Sequence, residues 1–215
     1  DTGAGGLFLD NAEKLDVDIA DINSLVISHG HYDHGGGLKK FLVENKKAEV
    51  FIHRLAFEKY YSREKNGQIK YIGLEEDLKQ NRRFIFTSDR FFIYKGVQVF
   101  SNVAKKECLP FANRNLFKEQ NGQKIQDTFA HEQNLIIEED GKTILITGCA
   151  HNGIVNIIEH FKGIKKRYPD FIIGGFHLSG HLGVCEDSDY LEKLGKYLLA
   201  TESVCYTGHC TGTEA

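Results

Sequence analysis

No apolar run in the 215 residues approaches the ~18 consecutive positions that a membrane-spanning helix needs. Basic charge is not in excess: 27 Lys and Arg face 30 Asp and Glu, a formal net charge of -3, so nothing predicts an electrostatic nucleic-acid binder. The five cysteines, Cys108, Cys149, Cys185, Cys205 and Cys210, form no regular framework, and an odd count argues against a secreted disulfide scaffold. No signal peptide opens the chain, and a reducing, cytoplasmic setting is the plainer expectation. A phosphate-binding loop of the Gly-x-x-x-x-Gly-Lys-Ser/Thr type is missing. No internal repeat of short fixed period is visible. Methionine is absent, the chain opens on Asp1-Thr2-Gly3, and it stops at Ala215 just past a motif-like stretch; these features lead to the expectation that both ends are truncated.

What is present is an ordinary globular composition, 41% hydrophobic and 27% charged, in a length that fits one compact domain or one domain with an insertion. Asn23 to Ser28 is a short apolar run that reads as a buried strand. Gly35, Gly36 and Gly37 lead into Leu38–Val43, whose apolar residues are spaced for a helix, and Glu49–His53 reads as the next strand. This β-loop-α-β order predicts an α/β layered domain. From Arg54 to about Phe129 the pattern is irregular: Val97–Phe100 is a strand candidate, and the remainder is an insertion or lid, or else surface loops. Leu135–Glu138 and Thr143–Thr147 are apolar runs joined through Asp140-Gly141, a strong hairpin signal. Asn152 can cap a helix that buries Ile154, Val155, Ile157, Ile158 and Phe161. Phe171–Gly174 reads as a strand, Ser188–Leu199 as a helix and Ser203–Tyr206 as a last strand.

Ten histidines are present, and their placement carries the chemistry. His29, His31, Asp33 and His34 fall within six residues directly after a buried strand. A loop at a strand end can aim several side chains at one point, and imidazole and carboxylate suit Zn²⁺, with Fe or Mn as rivals. Three further histidines repeat the placement: His151, His177 and His209 each follow a predicted strand with glycine nearby. If those strands share a sheet, their ends converge on the first cluster. His151 and His209 are therefore read as metal ligands. For His177, metal ligation competes with contact to a ligating residue or to substrate. Cys149 is either a thiolate ligand or a small buried apolar filler. His131, just before a strand, could be a ligand, but a surface role, or a contact behind the ligands, is favoured, while His53, His160 and His181 are read as structural or exposed. Asp1-Thr2-Gly3 matches the Asp-Thr-Gly of aspartic proteases only superficially, in one copy and without the flanks.

His29-Gly30-His31-Tyr32-Asp33-His34 resembles the His-x-His-x-Asp-His signature of the metallo-β-lactamase superfamily, and Asp1-Thr2-Gly3 resembles the short acidic motif that precedes it. Glu132–Leu135, Thr147–Asn156, Gly174–Leu178 and His209–Gly212 resemble a narrower branch, the class II metal-dependent hydrolases, which includes archaeal dihydropterin-ribofuranosylaminobenzene phosphate synthases. The resemblance spans the chain and is weakest in the middle. It implies an α+β fold, a four-layer αββα sandwich, with residues 1–215 as a single domain in which about 54–129 stays a possible insertion or lid. It also implies two divalent metal ions, with His29 and His31 on one ion and Asp33 and His34 on the other. His151 matches the third histidine of the first ion, and His209 the last histidine of the second. No bridging Asp follows the Thr143–Thr147 strand; Cys149 stands near that place, and His177 could compensate.

The expected activity is hydrolysis of a phosphoester, ester or lactone, with Asp33 orienting the attacking water, His177 binding the oxyanion or leaving group, and Asp1 orienting a ligating histidine. A phosphorylated pterin or ribosyl compound is the substrate that the resemblance suggests. A small-molecule substrate is the only partner expected; no nucleic acid and no membrane is evident. Two other readings stay open: a di-iron redox enzyme in the same scaffold, and a non-catalytic binding module.

Overall fold

A computed structural model of the chain describes residues 1–179 and 186–213. His181 and Cys185 lie outside the described residues. In chain order the elements are α1 (Leu7–Lys14), β1 (Ser24–Ile27), α2 (Tyr32–Gly35), α3 (Leu38–Glu44), β2 (Glu49–His53), β3 (Tyr60–Arg63), β4 (Ile69–Tyr71), β5 (Phe84–Thr87) and β6 (Arg90–Tyr94). They continue with β7 (Val97–Phe100), β8 (Leu116–Gln120), β9 (Gln123–Gln126), β10 (Asn134–Glu139), β11 (Lys142–Ile146), α4 (Ile154–Lys165), β12 (Phe171–Gly174), α5 (Ser188–Thr201) and β13 (Val204–Thr207).

Two sheets lie between two helical layers. The first has the order β1-β2-β5, all parallel. Val50 and Ile52 of β2 alternate onto the face that packs against Leu38 and Phe41 of α3 and Phe8 of α1. Phe51 points the other way and meets Phe91 of β6 at a ring separation of 5.9 Å. The second sheet has the order β13-β12-β11-β10-β7-β6. Its Leu145 and Ile172 pack against Ile154, Ile157, Ile158 and Phe161 of α4 and Leu194 of α5. Helix–sheet–sheet–helix is therefore the layering, and it is the α+β sandwich expected. Gln133, just before β10, joins the sheets: its side chain donates to the carbonyls of Ile27 and Phe51 and accepts from Thr87 Oγ1.

Asp140-Gly141 forms the hairpin between β10 and β11, with both residues at positive φ (49° and 75°) as a tight two-residue turn requires. The expected cap of α4 is different. Gly153 at φ 84° precedes the helix, and the Asn152 side chain donates to Glu132 and to the Phe129 carbonyl instead. An amide buried in this loop is worth more satisfying a carboxylate than a helix end. Helix α5 is capped by Asp187, which accepts from the Tyr190 N–H.

The irregular stretch from Arg54 to Phe129 is shared among three sheets. β5 completes the first, and β6 and β7 extend the second. β3, β4, β8 and β9 form a third sheet of order β4-β3-β8-β9. Among the described residues no helix is long and apolar enough to cross a membrane.

β11, β12 and β13 run parallel, so the loops after them leave from one edge of the second sheet. The loop after β1 reaches the same place, because Gln133 N–H donates to the Ser28 carbonyl. In parallel arrangements this carboxyl-end edge is where loops can gather functional side chains.

Candidate metal centre

The signature segment begins two residues past β1. Gly30 is a steric requirement there, since a Cβ would stand 2.2 Å from the Ala56 carbonyl oxygen. Gly37 is another, with the Gly5 carbonyl oxygen 2.4 Å from a Cβ position. The short helix α2 then turns Asp33 and His34 toward the rings of His29 and His209.

His29, His31 and His151 each offer a ring nitrogen within 4.8 Å of the others, and all three side chains are buried. The hydrogen-bond network assigns their protons. Ser28 Oγ donates to Asp1 Oδ2 (2.8 Å), so it accepts from His29 Nδ1 at 2.9 Å. His151 Nδ1 donates to Asn113 Oδ1 at 3.0 Å. The Nε2 lone pairs of His29 and His151 are left sealed from solvent with no protein partner. A buried lone pair without a partner is uncommon in a folded protein. Two of them facing one point, beside His31, fit a bound cation. Burial, reinforced by the neighbouring imidazoles, pushes His29 and His151 well below the ordinary histidine range and His31 down to about 4. The rings are therefore neutral at pH 7, the form that binds a metal.

Asp33, His34 and His209 form a second group. His34 Nε2 lies 3.2 Å from His209 Nε2 and 3.8 Å from Asp33 Oδ2, and His209 Nε2 lies 3.6 Å from the same oxygen. Donors of one ion bound at ~2.0–2.1 Å must approach each other this closely. His34 Nδ1 sits 2.7 Å from Asp1 Oδ2, which fixes its tautomer and turns Nε2 toward the cluster.

Cys149 lies where the two groups meet. Its Sγ is 3.0 Å from His34 Nε2 and falls within 4.8 Å of ring nitrogens of His29 and His34, of His151 and His177, and, with Cys210, of His209. A hydrogen bond with Cys210, then burial, pushes the Cys149 thiol well up. His177 follows β12 with φ at 53°, its ring 4.3 Å from that of His151, and neither ring nitrogen has a partner. Ala150 and His209 share that left-handed conformation (φ 55° and 53°), so three loops at this edge each hold one non-glycine residue at a cost of order 1 kcal/mol. Asp33, Cys149, His151, His177 and His209 line a cavity of about 1010 Å³, together with His31.

The remaining histidines separate cleanly. His131 is buried, not on the surface: its Nδ1 accepts from the Gly30 N–H (2.9 Å) and its Nε2 donates to Asp127 Oδ2 (3.1 Å). With both nitrogens engaged it holds the signature loop and offers no free lone pair. His53 accepts from the Leu55 N–H, and His160 stacks on Phe100 at 5.0 Å. Four residues behind the cluster have roles that the sequence did not signal. Ser28 and Asn113 set tautomers, Asp127 anchors His131, and Glu132 accepts from the His151 and Asn152 N–H groups (2.6 and 3.0 Å). Glu132 falls in the Glu132–Leu135 segment that resembles the narrower branch, and Asp127, four residues before His131, has a spacing that could have drawn notice.

A family model described as the metallo-beta-lactamase superfamily matches residues 1–107. The chain is also 30% identical, over 218 residues, to the 7,8-dihydropterin-6-methyl-4-(beta-D-ribofuranosyl)-aminobenzene-5'-phosphate synthase of Methanocaldococcus jannaschii; the match covers 95% of this chain and 71% of that protein. The chain belongs to the metallo-β-lactamase superfamily. An uncharacterised protein of the same organism is 28% identical over 221 residues, covering 100% of this chain and 79% of the other. A crystal structure described as a metal-dependent hydrolase of the beta-lactamase superfamily superposes with a TM-score of 0.83 at 30% identity, covering 99% of this chain and 77% of that one. In this superfamily member the signature segment lies inside the matched residues, while His151, His177 and His209 lie beyond them.

Proposed function

We propose that this metallo-β-lactamase superfamily member is a hydrolase with a dinuclear metal centre. His29, His31 and His151 would hold one ion, and Asp33, His34 and His209 the other, and Cys149 is within reach of donors of both groups. The observation that carries this reading is the pair of buried, partnerless Nε2 atoms on His29 and His151. A donor set of imidazoles, one carboxylate and one thiol suits zinc best, ahead of Fe or Mn. Divalent ions at such a centre supply Lewis acidity and lower the pKa of water to about 7.

The chain's own residues do the rest. The Asp33 carboxylate accepts a hydrogen bond from the attacking water and fixes its direction. His177 faces the cavity with a free N–H and donates to the oxygen on which charge develops, or to the leaving group. Asp1 and Asn113 hold His34 and His151 in the productive tautomer. The substrate is a phosphoester, ester or lactone. The printed name of the curated relative favours a phosphorylated pterin or ribosyl compound. That relative is a synthase, which favours a second reading of the same centre: transfer to a nucleophile other than water. The four described cysteines are free, and we place the reaction in the reducing cytoplasm.

The test is turnover of p-nitrophenyl phosphodiesters and of simple lactones by metal-loaded protein, with Asp33→Ala as control. Hydrolysis that is lost in the variant supports the reading. Metal-loaded protein inert toward every ester and lactone, yet active in a group transfer, would replace hydrolase by synthase.

A further inference from the structure

The wall of the cavity away from the histidines is built by the β3–β4 hairpin. Its strands pair antiparallel, with Ser62 opposite Lys70 and Arg63 opposite Ile69. Arg63, Lys65 and Lys70 all line the cavity. None of the three has a carboxylate within 4.0 Å among the described residues, whereas Lys59 on the same sheet is paired with Glu119. Glu64 is the one acid of this wall. A local excess of positive charge therefore stands over the site of a chain whose net charge is -3.

The hairpin is not a loose flap. The Tyr32 N–H of the signature segment donates to the Ile72 carbonyl at 2.8 Å, just past β4. Lys70 Nζ lies 5.7 Å from the centre of the Tyr32 ring, and the Arg63 guanidinium lies 5.1 Å from that of Phe117. The turn is closed by Glu64 N–H to the Gln68 carbonyl and by Gly67 N–H to the Glu64 carbonyl. So the three cations sit on an element fastened to the segment that carries His31, Asp33 and His34.

Unpaired cations on a cavity wall cost little in water but gain when an anion arrives. Guanidinium and ammonium groups together are the donor set that recognises phosphate. We infer that the β3–β4 hairpin reads a phosphate of the substrate that is remote from the bond being broken, through Arg63, Lys65 and Lys70. The inference rests on the proposed metal centre as the reacting end of the cavity. It makes the hairpin the specificity element of the site, selecting substrates that carry two anionic groups over those that carry one.

The test compares two probes, fructose 6-phosphate and fructose 1,6-bisphosphate, by calorimetric titration of metal-loaded protein. Either probe can place one phosphate at the metals; only the bisphosphate has a second for the hairpin. The wild type is expected to bind the bisphosphate about tenfold tighter, the gain of one charge-assisted contact. In Arg63→Gln/Lys65→Gln/Lys70→Gln the ratio should fall to about one, with metal content unchanged. Glu64→Gln, which removes the wall's acid, should raise it. A wild-type ratio near one, or a ratio untouched by the triple substitution, overturns the inference. Absence of esterase activity with the ratio preserved would instead count against the hydrolase reading alone.

Discussion

Asp1 holds His34: its Oδ2 lies 2.7 Å from Nδ1, and the opposite nitrogen of the same ring looks at His209 from 3.2 Å. A carboxylate behind an imidazole fixes the ring's tautomer and raises its basicity, and removing such a partner typically lowers metal affinity about 10–100-fold. Asp1→Ala should therefore weaken the ion held by Asp33, His34 and His209 by about that factor, and the ion beside His29, which Asp1 reaches only through Ser28 Oγ, by less. Chelator competition reads both affinities. Equal weakening of both ions would mean that Asp1 acts on the whole loop and not through His34.

The two groups of donors should be separable by substitution. Protein purified without added metal is expected to contain about two ions per chain, mostly zinc. His151→Ala should lose one ion and His209→Ala the other, each leaving about one. Elemental analysis after gel filtration decides it. If His209→Ala still carries two ions, Cys149 or Cys210 is completing the second group, since both sulfurs lie within 4.8 Å of a His209 ring nitrogen.

Asp33→Ala should abolish hydrolysis, a loss of at least about 10³-fold, with the far-ultraviolet circular dichroism spectrum unchanged. Asp33 is partly exposed at the cavity and contributes little to the core. Retention of near wild-type turnover on any substrate would remove Asp33 from the mechanism.

Glu132 is buried beneath the His151 loop and accepts from two backbone N–H groups and from Asn152 Nδ2. Glu132→Ala strands three buried donors and should destabilise the fold by about 3 kcal/mol. Urea denaturation measures the loss. A shift below about 1 kcal/mol would mean that water replaces the carboxylate.

Acid should unfold the protein over a defined range. Burial lowers His31 and His53 to about 4 and lowers His29, His34 and His151 as well. Unfolded histidines titrate near 6.5, so between about 6.5 and 4 the unfolded chain binds more protons than the folded one. The stability held by these neutral rings is thus complete above about pH 6.5 and is lost as pH falls toward 4. Unfolding free energy measured across that interval should drop with a slope of more than one proton. A flat profile from pH 6.5 to 5 would contradict the neutral buried rings.

Local pattern fixed much of this architecture. His29-Gly30-His31-Tyr32-Asp33-His34 announces its chemistry because six adjacent residues at a strand end need no distant partner to be read. The Asp140-Gly141 hairpin and the buried stripe of α4 are legible for the same reason: turn chemistry and the helical period are local properties. Strands β4 and β9 escaped because every residue in them is exposed, which leaves no alternation to see. Yet Asn121-Gly122, both at positive φ, marked the β8–β9 turn; the signal was masked by its polar flanks.

Tertiary structure decided which histidines share the site. Sequence alone favours His151 over His131 for the third nitrogen beside His29 and His31, without the contacts that separate them. In the fold, the Gly30 N–H and Asp127 occupy both nitrogens of His131, while Asn113, from a stretch with no period, takes only Nδ1 of His151 and leaves Nε2 free. A lone pair's availability depends on what the opposite ring nitrogen touches, and two of those contacts, Asn113 to His151 and Gly30 to His131, join residues 38 and 101 positions apart in the chain. The sequence marked a candidate metal-binding loop; the packing of distant segments decided which lone pairs stand free beside it.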